Sequence, residues 1–317
     1  MMKKFLLRCT ALFLLLAAAI YIGGVLLRGT TYWKNLERSE DTERFHEVPE
    51  TVTFAVFGPS HTRYAFRDAD WGEGFFNFAM SAQTPQYDLM QMREFGDRIA
   101  PGATVVLTMT YFSPFWTDSE EAFAEKQERY YRILSPENIV EIDPAHWRLG
   151  RFSPLLTTSV SNMLGAFFKP EALGPTHSDM NGYRVFTGEN LDEERVRIAE
   201  NQKGLWSSFP DGNPVQEQAI DEMLSLCREK GWNAVLLTTP YLQVYNDCFP
   251  DEVYEVVREK TRALADAYGV PWLDYSHDPD FADKFEYYFD IDHLNYDGDA
   301  AFAAKLQPAL RELGLWE

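Results

Sequence analysis

Cysteine is scarce in this 317-residue chain, and positive charge is in short supply. The three cysteines, Cys9, Cys227 and Cys248, form no CxxC pair and join no dense Cys/His cluster, which argues against a structural zinc centre. Cys227 falls at an apolar position of a helical pattern, so a buried thiol is expected there rather than half of a disulfide. Lys and Arg number 29 against 49 Asp and Glu, a formal net charge of −20. So acidic a surface would repel phosphates, which excludes nucleic acid as a partner. The chain also lacks internal repeats and low-complexity tracts. What remains, 45% hydrophobic and 15% aromatic, is globular composition with enough chain for one large domain and its core.

The N-terminus departs from that composition. Lys3, Lys4 and Arg8 precede an uncharged run from Cys9 to Leu27, close to the ~20 apolar residues that cross a bilayer as a helix. The basic flank comes first, so the positive-inside rule keeps the N-terminus cytoplasmic and sends the rest across. A cleaved signal peptide would have a shorter apolar region and a small-residue site after it, so residues 1–29 are read as an uncleaved anchor. Residues 30–50 are polar and charged and read as a short stalk. Residues 51–317 form the main domain.

Within that domain, apolar strands alternate with amphipathic helices. "TVTFAVFG", "FFNFAM" (75–80), "TVVLTMTYF" (104–112), "NAVLLTTP" (233–240) and "VPWLDYS" (270–276) are continuous enough to be buried on both faces. Between them lie helical stripes: one from Pro85 stopped by Pro101-Gly102, one through Ile220 and Cys227 closed by Gly231, one through Val253 and Leu264 closed by Gly269, and a last one through Phe302 and Leu310. The pattern predicts a three-layer α/β/α sandwich on a mostly parallel, flavodoxin-like sheet. Residues 114–212, rich in Trp, Phe, Pro and acidic residues, interrupt the rhythm and read as an insertion over one sheet edge.

In open α/β sheets ligands bind at the carboxyl ends of the strands. Ser60, in "FAVFGPSHT", stands there after the first strand. A serine hydroxyl needs a base within hydrogen-bond reach, and that base needs a carboxylate on its other nitrogen. Of six histidines, His293 in "FDIDHLNYDGDAAF" falls after the last strand and before the final helix, again at the carboxyl edge. Asp290, three residues earlier, can be aimed at its imidazole by one turn of backbone; Asp292 is the competing carboxylate. Read alone, GPS is an ordinary turn. Read alone, DIDHLN is a helix start capped by Asp297, or an acidic loop reminiscent of calcium sites, though it lacks the distal Glu. Neither a metal nor a cofactor is expected. Tyr241, just past the fourth strand, is the best aromatic candidate for lining a cleft, and His61 and Ser113 join it as substrate-binding candidates.

Taken together, these segments resemble the SGNH/GDSL hydrolase superfamily. "FGPSH" looks like its first block and supplies Ser60; "FDIDHLN" looks like its DxxH block and supplies Asp290 and His293. "FFNFAMSAQTP" resembles its second block, with Ala82 where the oxyanion-hole glycine usually stands and Asn77 as a further donor. The third block departs: "TYFSPFW" has no asparagine, leaving Ser113 or Tyr111 in its place. The resemblance implies an oxyanion hole from the N–H groups of Ser60 and Ala82 with Asn77 beside them. The anchor and the "GPSH", "NFAMSAQ" and "HLN" wording look closest to the DltD-like and alginate-O-acetylation-like branch. That implies a serine esterase or O-acyltransferase acting on acyl groups of a cell-envelope polysaccharide, membrane-anchored with its domain extracytoplasmic, with room for a membrane-bound O-acyltransferase as partner. The alternatives are a non-catalytic envelope protein of the same fold, binding polysaccharide or scaffolding such an acyltransferase, and a metal-dependent hydrolase built on Asp290, Asp292 and His293.

Overall fold

The computed structural model describes residues 2–169 and 171–316. Five strands form one all-parallel sheet: β1 (Val52–Phe57), β2 (Phe75–Asn77), β3 (Ile99–Thr108), β4 (Asn233–Thr238) and β5 (Trp272–Asp274), in the order β2-β1-β3-β4-β5. This is the flavodoxin-like order, which reverses direction between β1 and β3 and opens a crevice there at the strands' carboxyl ends. Strand alternation divides the core into two layers. Phe54, Val56, Val106, Val235 and Leu237 pack with Val253 and Val257 of the Asp251–Tyr268 helix and with Phe302, Leu306 and Leu310 of the Tyr296–Glu312 helix. The residues between them, such as Ala55, Val105 and Leu236, face the other way, where the helices Pro85–Phe95 and Pro214–Lys230 pack together. The expected three-layer sandwich is therefore present.

One boundary differs from the sequence reading. β3 begins at Ile99, five residues earlier than expected, and runs through Pro101-Gly102. Val52 pairs with Ile99 but Phe54 pairs with Thr104, so the intervening residues bulge outward and Pro101 and Gly102 are exposed. A bulge is where a strand tolerates proline, because no ladder hydrogen bond is lost. The last helix runs through Pro308, as its apolar stripe from Phe302 to Leu310 predicts.

The chain divides into two compact units. One comprises Met1–Glu47 and Lys126–His177; it holds the Met2–Arg28 helix, which is long and apolar enough to cross a membrane. Residues 30–50, expected as a stalk, carry a helix (Thr31–Ser39) capped by Thr30 and a 3-10 turn (Glu43–Glu47). The other unit, Val48–Glu125 with Ser178–Glu317, holds the sheet. The segment expected as a single insertion at 114–212 is thus shared between the two. Its part from 178 onward supplies the Leu191–Trp206 helix to the sheet unit.

Candidate functional site

β1 ends at Phe57, and the chain turns sharply into a short helix, Ser60–Ala65. Gly58 makes that turn possible. Its φ is +149°, and a Cβ there would run into Thr62 Oγ1 and Thr108. The Pro59 carbonyl accepts from the N–H groups of Thr62 and Arg63, which fixes Ser60 as the first helical residue, partly exposed at the sheet's carboxyl edge.

His293 arrives from the far end of the sequence. A bridge between Tyr288 and Leu294, with Phe289 N–H donating to the His293 carbonyl, folds residues 288–294 into a tight loop. Asp290 Oδ1 accepts from the backbone N–H groups of Asp292 (3.0 Å) and His293 (2.8 Å), so one carboxylate organises the loop. The same carboxylate lies 2.9 and 3.0 Å from His293 Nδ1. His293 Nε2 lies 2.8 Å from Ser60 Oγ, across 233 positions of sequence. Ser60, His293 and Asp290 therefore form one hydrogen-bonded chain. The imidazole is stacked between Phe289 (centroids 5.4 Å apart) and His61 (4.9 Å), with Tyr64 edge-on, which leaves the side chain 11% exposed.

Asp292 is a second carboxylate at this imidazole, with Oδ1 3.3 Å from Nδ1. It is 4% exposed, and its other oxygen meets His61 Nε2 at 3.1 Å. Arg197, on the Leu191–Trp206 helix, donates to Asp292 and to Glu194 and lies 3.6 Å from Asp290. Burial alone would lower the His293 pKa, but the Asp290 and Asp292 carboxylates outweigh it and push it up to about 10. Burial likewise works against ionised Asp292, yet His293, His61 and Arg197 hold it well below the ordinary carboxylate range. His61 goes the other way: burial dominates and lowers its pKa, so it sits there neutral with Nε2–H donated to Asp292.

His61, Asp292 and His293, and separately Glu194, Asp290 and Asp292, bring ligand atoms within 4.8 Å of one another. Arg197 already puts a fixed positive charge against Asp292, Glu194 and Asp290, the place a cation would otherwise neutralise. The carboxylates of the second set are thus met by a protein cation, whereas in the first set the buried His61 Nδ1 has no hydrogen-bond partner among the described residues.

Ala82 is exposed with φ +54°, in a turn closed by Gln83 N–H donating to the Met80 carbonyl. Met80 N–H in turn donates to the Gly58 carbonyl, tying this turn to the one that carries Ser60. Four other candidates are placed differently from expectation. Asn77 is buried, its amide donating to the carbonyls of Thr62, Arg63 and Phe66 and its oxygen accepting from Ala79 N–H, so it anchors the Ser60 helix and offers no free donor to an oxyanion. Tyr241 is wholly buried, packed against His61 and Tyr111, so it lines no surface. Ser113 closes its own turn by accepting from Thr110 N–H. His61 supports Asp292 instead of facing outward. Tyr111 donates to Asn246 in the core, and the cap of the last helix is Asn295, not Asp297.

Sequence reasoning missed Arg197. In "LDEERVRIAE" it looks like one of several charges on a solvated helix face, and its Glu194 partner at i−3 fits that reading. Only the fold brings it to Asp292, 95 positions away.

No family model matches the chain, and neither does any curated protein. Among solved structures, a Bacteroides fragilis protein proposed to be an acylhydrolase is similar at a TM-score of 0.41 and 15% identity, over 89% of this chain and 98% of that one.

Proposed function

We propose that the protein is a membrane-anchored serine hydrolase or O-acyltransferase that acts on acyl esters of an extracytoplasmic polysaccharide. The observation that carries this reading is the unbroken contact from Ser60 Oγ through His293 to Asp290 at the carboxyl edge of the sheet. In the neutral imidazole, Nδ1–H donates to Asp290, leaving Nε2 to accept the serine proton as Ser60 Oγ attacks the acyl carbon. The developing oxyanion takes hydrogen bonds from the N–H groups of Ser60 and Ala82. The imidazolium formed in that step is stabilised by both aspartates and returns its proton to the leaving alkoxide. The acyl group on Ser60 then passes to water or to a polymer hydroxyl, as whichever acceptor is held in line.

The SGNH resemblance, with its DltD-like wording, and the apolar N-terminal helix support an envelope location, and an acyl donor supplied by a membrane-bound acyltransferase fits the same reading. Release of acetate from an acetylated polysaccharide, or of nitrophenol from its acetate ester, tests it. Ser60→Ala should lower the rate by at least about 10³-fold, with the melting temperature within a few degrees of the parent. Turnover that survives Ser60→Ala but stops with chelator would instead support metal-dependent hydrolysis. A well-folded, inert parent protein would favour the binding-module reading.

A further inference from the structure

In the unit that carries the N-terminal helix, a second segment is fastened along that helix. Arg28 donates to the carbonyls of Gly150 (3.0 Å) and Arg151 (3.2 Å), and Ser153 Oγ donates to the Ile20 carbonyl at 2.8 Å. The Phe152 and Tyr21 rings lie 5.8 Å apart. Gly23 and Gly24 permit the fit: a Cβ on Gly24 would strike Ser153 and Pro154, and one on Gly23 would meet Leu155 at 2.5 Å. The contacts run from Ile20 to Arg28, about 12 Å of helix at 1.5 Å per residue.

The helix that follows, Val160–Phe168, carries an exposed apolar stripe, with Ser161 and Asn162 exposed beside it in the first turn. Val160, Leu164, Phe167 and Phe168, spaced i, i+4, i+7 and i+8, are 65%, 53%, 41% and 76% exposed. A water-facing helix would carry polar residues on that stripe. The charge pattern is reversed as well. Residues 144–169 contain Arg148, Arg151 and Lys169 and no acidic residue, in a chain with 49 of them.

We infer that residues 144–169 form an interfacial lipid-binding element, with the outward stripe of the Val160–Phe168 helix lying among acyl chains of the leaflet that the anchor exits. This rests on the reading of Met2–Arg28 as a membrane-crossing helix. If Arg28 marks the outer edge of the hydrocarbon, a segment clamped as deep as Ile20 must enter the leaflet with it. An apolar stripe flanked by basic residues is the composition that lies in a bilayer interface.

The test uses the full chain with Cys9 and Cys248 replaced by serine, reconstituted in phosphatidylethanolamine–phosphatidylglycerol vesicles. An environment-sensitive fluorophore is placed at Leu164→Cys or, separately, at Leu14→Cys. The expected result is loss of most of the fluorescence at both positions to lipid-borne spin labels and little loss to aqueous iodide. Iodide quenching at 164 with lipid quenching at 14 would overturn the proposal and leave the anchor standing. Iodide quenching at both would overturn the anchor, and the proposal with it. Protection of 164 from both quenchers would mean that a second copy or another protein covers the stripe, and would also overturn it.

Discussion

At the scale of the residue, the proposed base carries more negative charge than its task requires. Two aspartates on one imidazole hold His293 protonated at neutral pH. The proton must leave before His293 can accept one from Ser60, so the rate of Ser60 acylation should rise with pH along a limb that bends near pH 10, not near 7. Arg197 offsets part of that charge. Asp292→Asn should therefore move the bend down by about one pH unit, and Arg197→Ala should move it up. Opposite shifts are what a purely structural role for these residues would not give. Arg197→Ala should also cost about 1 kcal/mol of stability, measurable by denaturant unfolding, because the partly exposed guanidinium is one of three partners of the buried Asp292 carboxylate, with His61 and His293.

At the scale of the element, the turn that carries Ala82 is under backbone strain. An alanine at φ +54° bears a Cβ clash that glycine avoids. Ala82→Gly should raise stability by about 0.5–1 kcal/mol with no loss of esterase activity; a destabilised variant would show that the Ala82 methyl makes contacts worth more than the strain. The elements themselves were largely legible in the sequence. β1 and β4 announced themselves as unbroken apolar runs; Ser60 and His293 could be picked out because each stands where a strand's carboxyl end must be, and Asp290 by its spacing three residues before His293. Which way a residue faces was not legible. Tyr241 and Ser113 follow strands just as Ser60 does, yet a rotation of the backbone turns one into the core and the other back onto its own turn. The His61–Asp292–Arg197 set was equally hidden, since its members are distant in sequence and each has an ordinary local explanation.

At the scale of the whole molecule, several buried groups favour their protonated forms. Burial pushes Asp88 up to about 7, against hydrogen bonds from Gln83 and the Gly58 N–H, and Asp299 up to about 8, with Asp70 adding to it. A folded-state pKa above the unfolded one means that the native state binds more protons, so stability falls as pH rises through the interval between the two. For Asp88 that window runs from about 4 to 7, for Asp299 from about 4 to 8, and for His293 from 6.5 to about 10. Asp292, whose pKa is lowered, adds stability that is lost only in acid, below the ordinary carboxylate range. The melting temperature should therefore fall steadily from pH 5 to pH 10, the direction in which activity is expected to climb. Asp88→Asn should flatten the part of that fall below pH 7; an unchanged curve would place the origin of the pH dependence elsewhere. The formal charge of −20 adds self-repulsion in the same direction.

The proposed activity depends on Ser60 acting as a nucleophile activated by His293. The most direct measurement is covalent labelling of the full-length protein by a fluorophosphonate at alkaline pH, with the modified residue located by peptide mass spectrometry. Stoichiometric modification of Ser60 is expected in the parent protein, with none in Ser60→Ala of parental melting temperature or in a His293→Ala variant shown to be folded. A folded parent protein that takes up no label, or takes it on another residue, would contradict it.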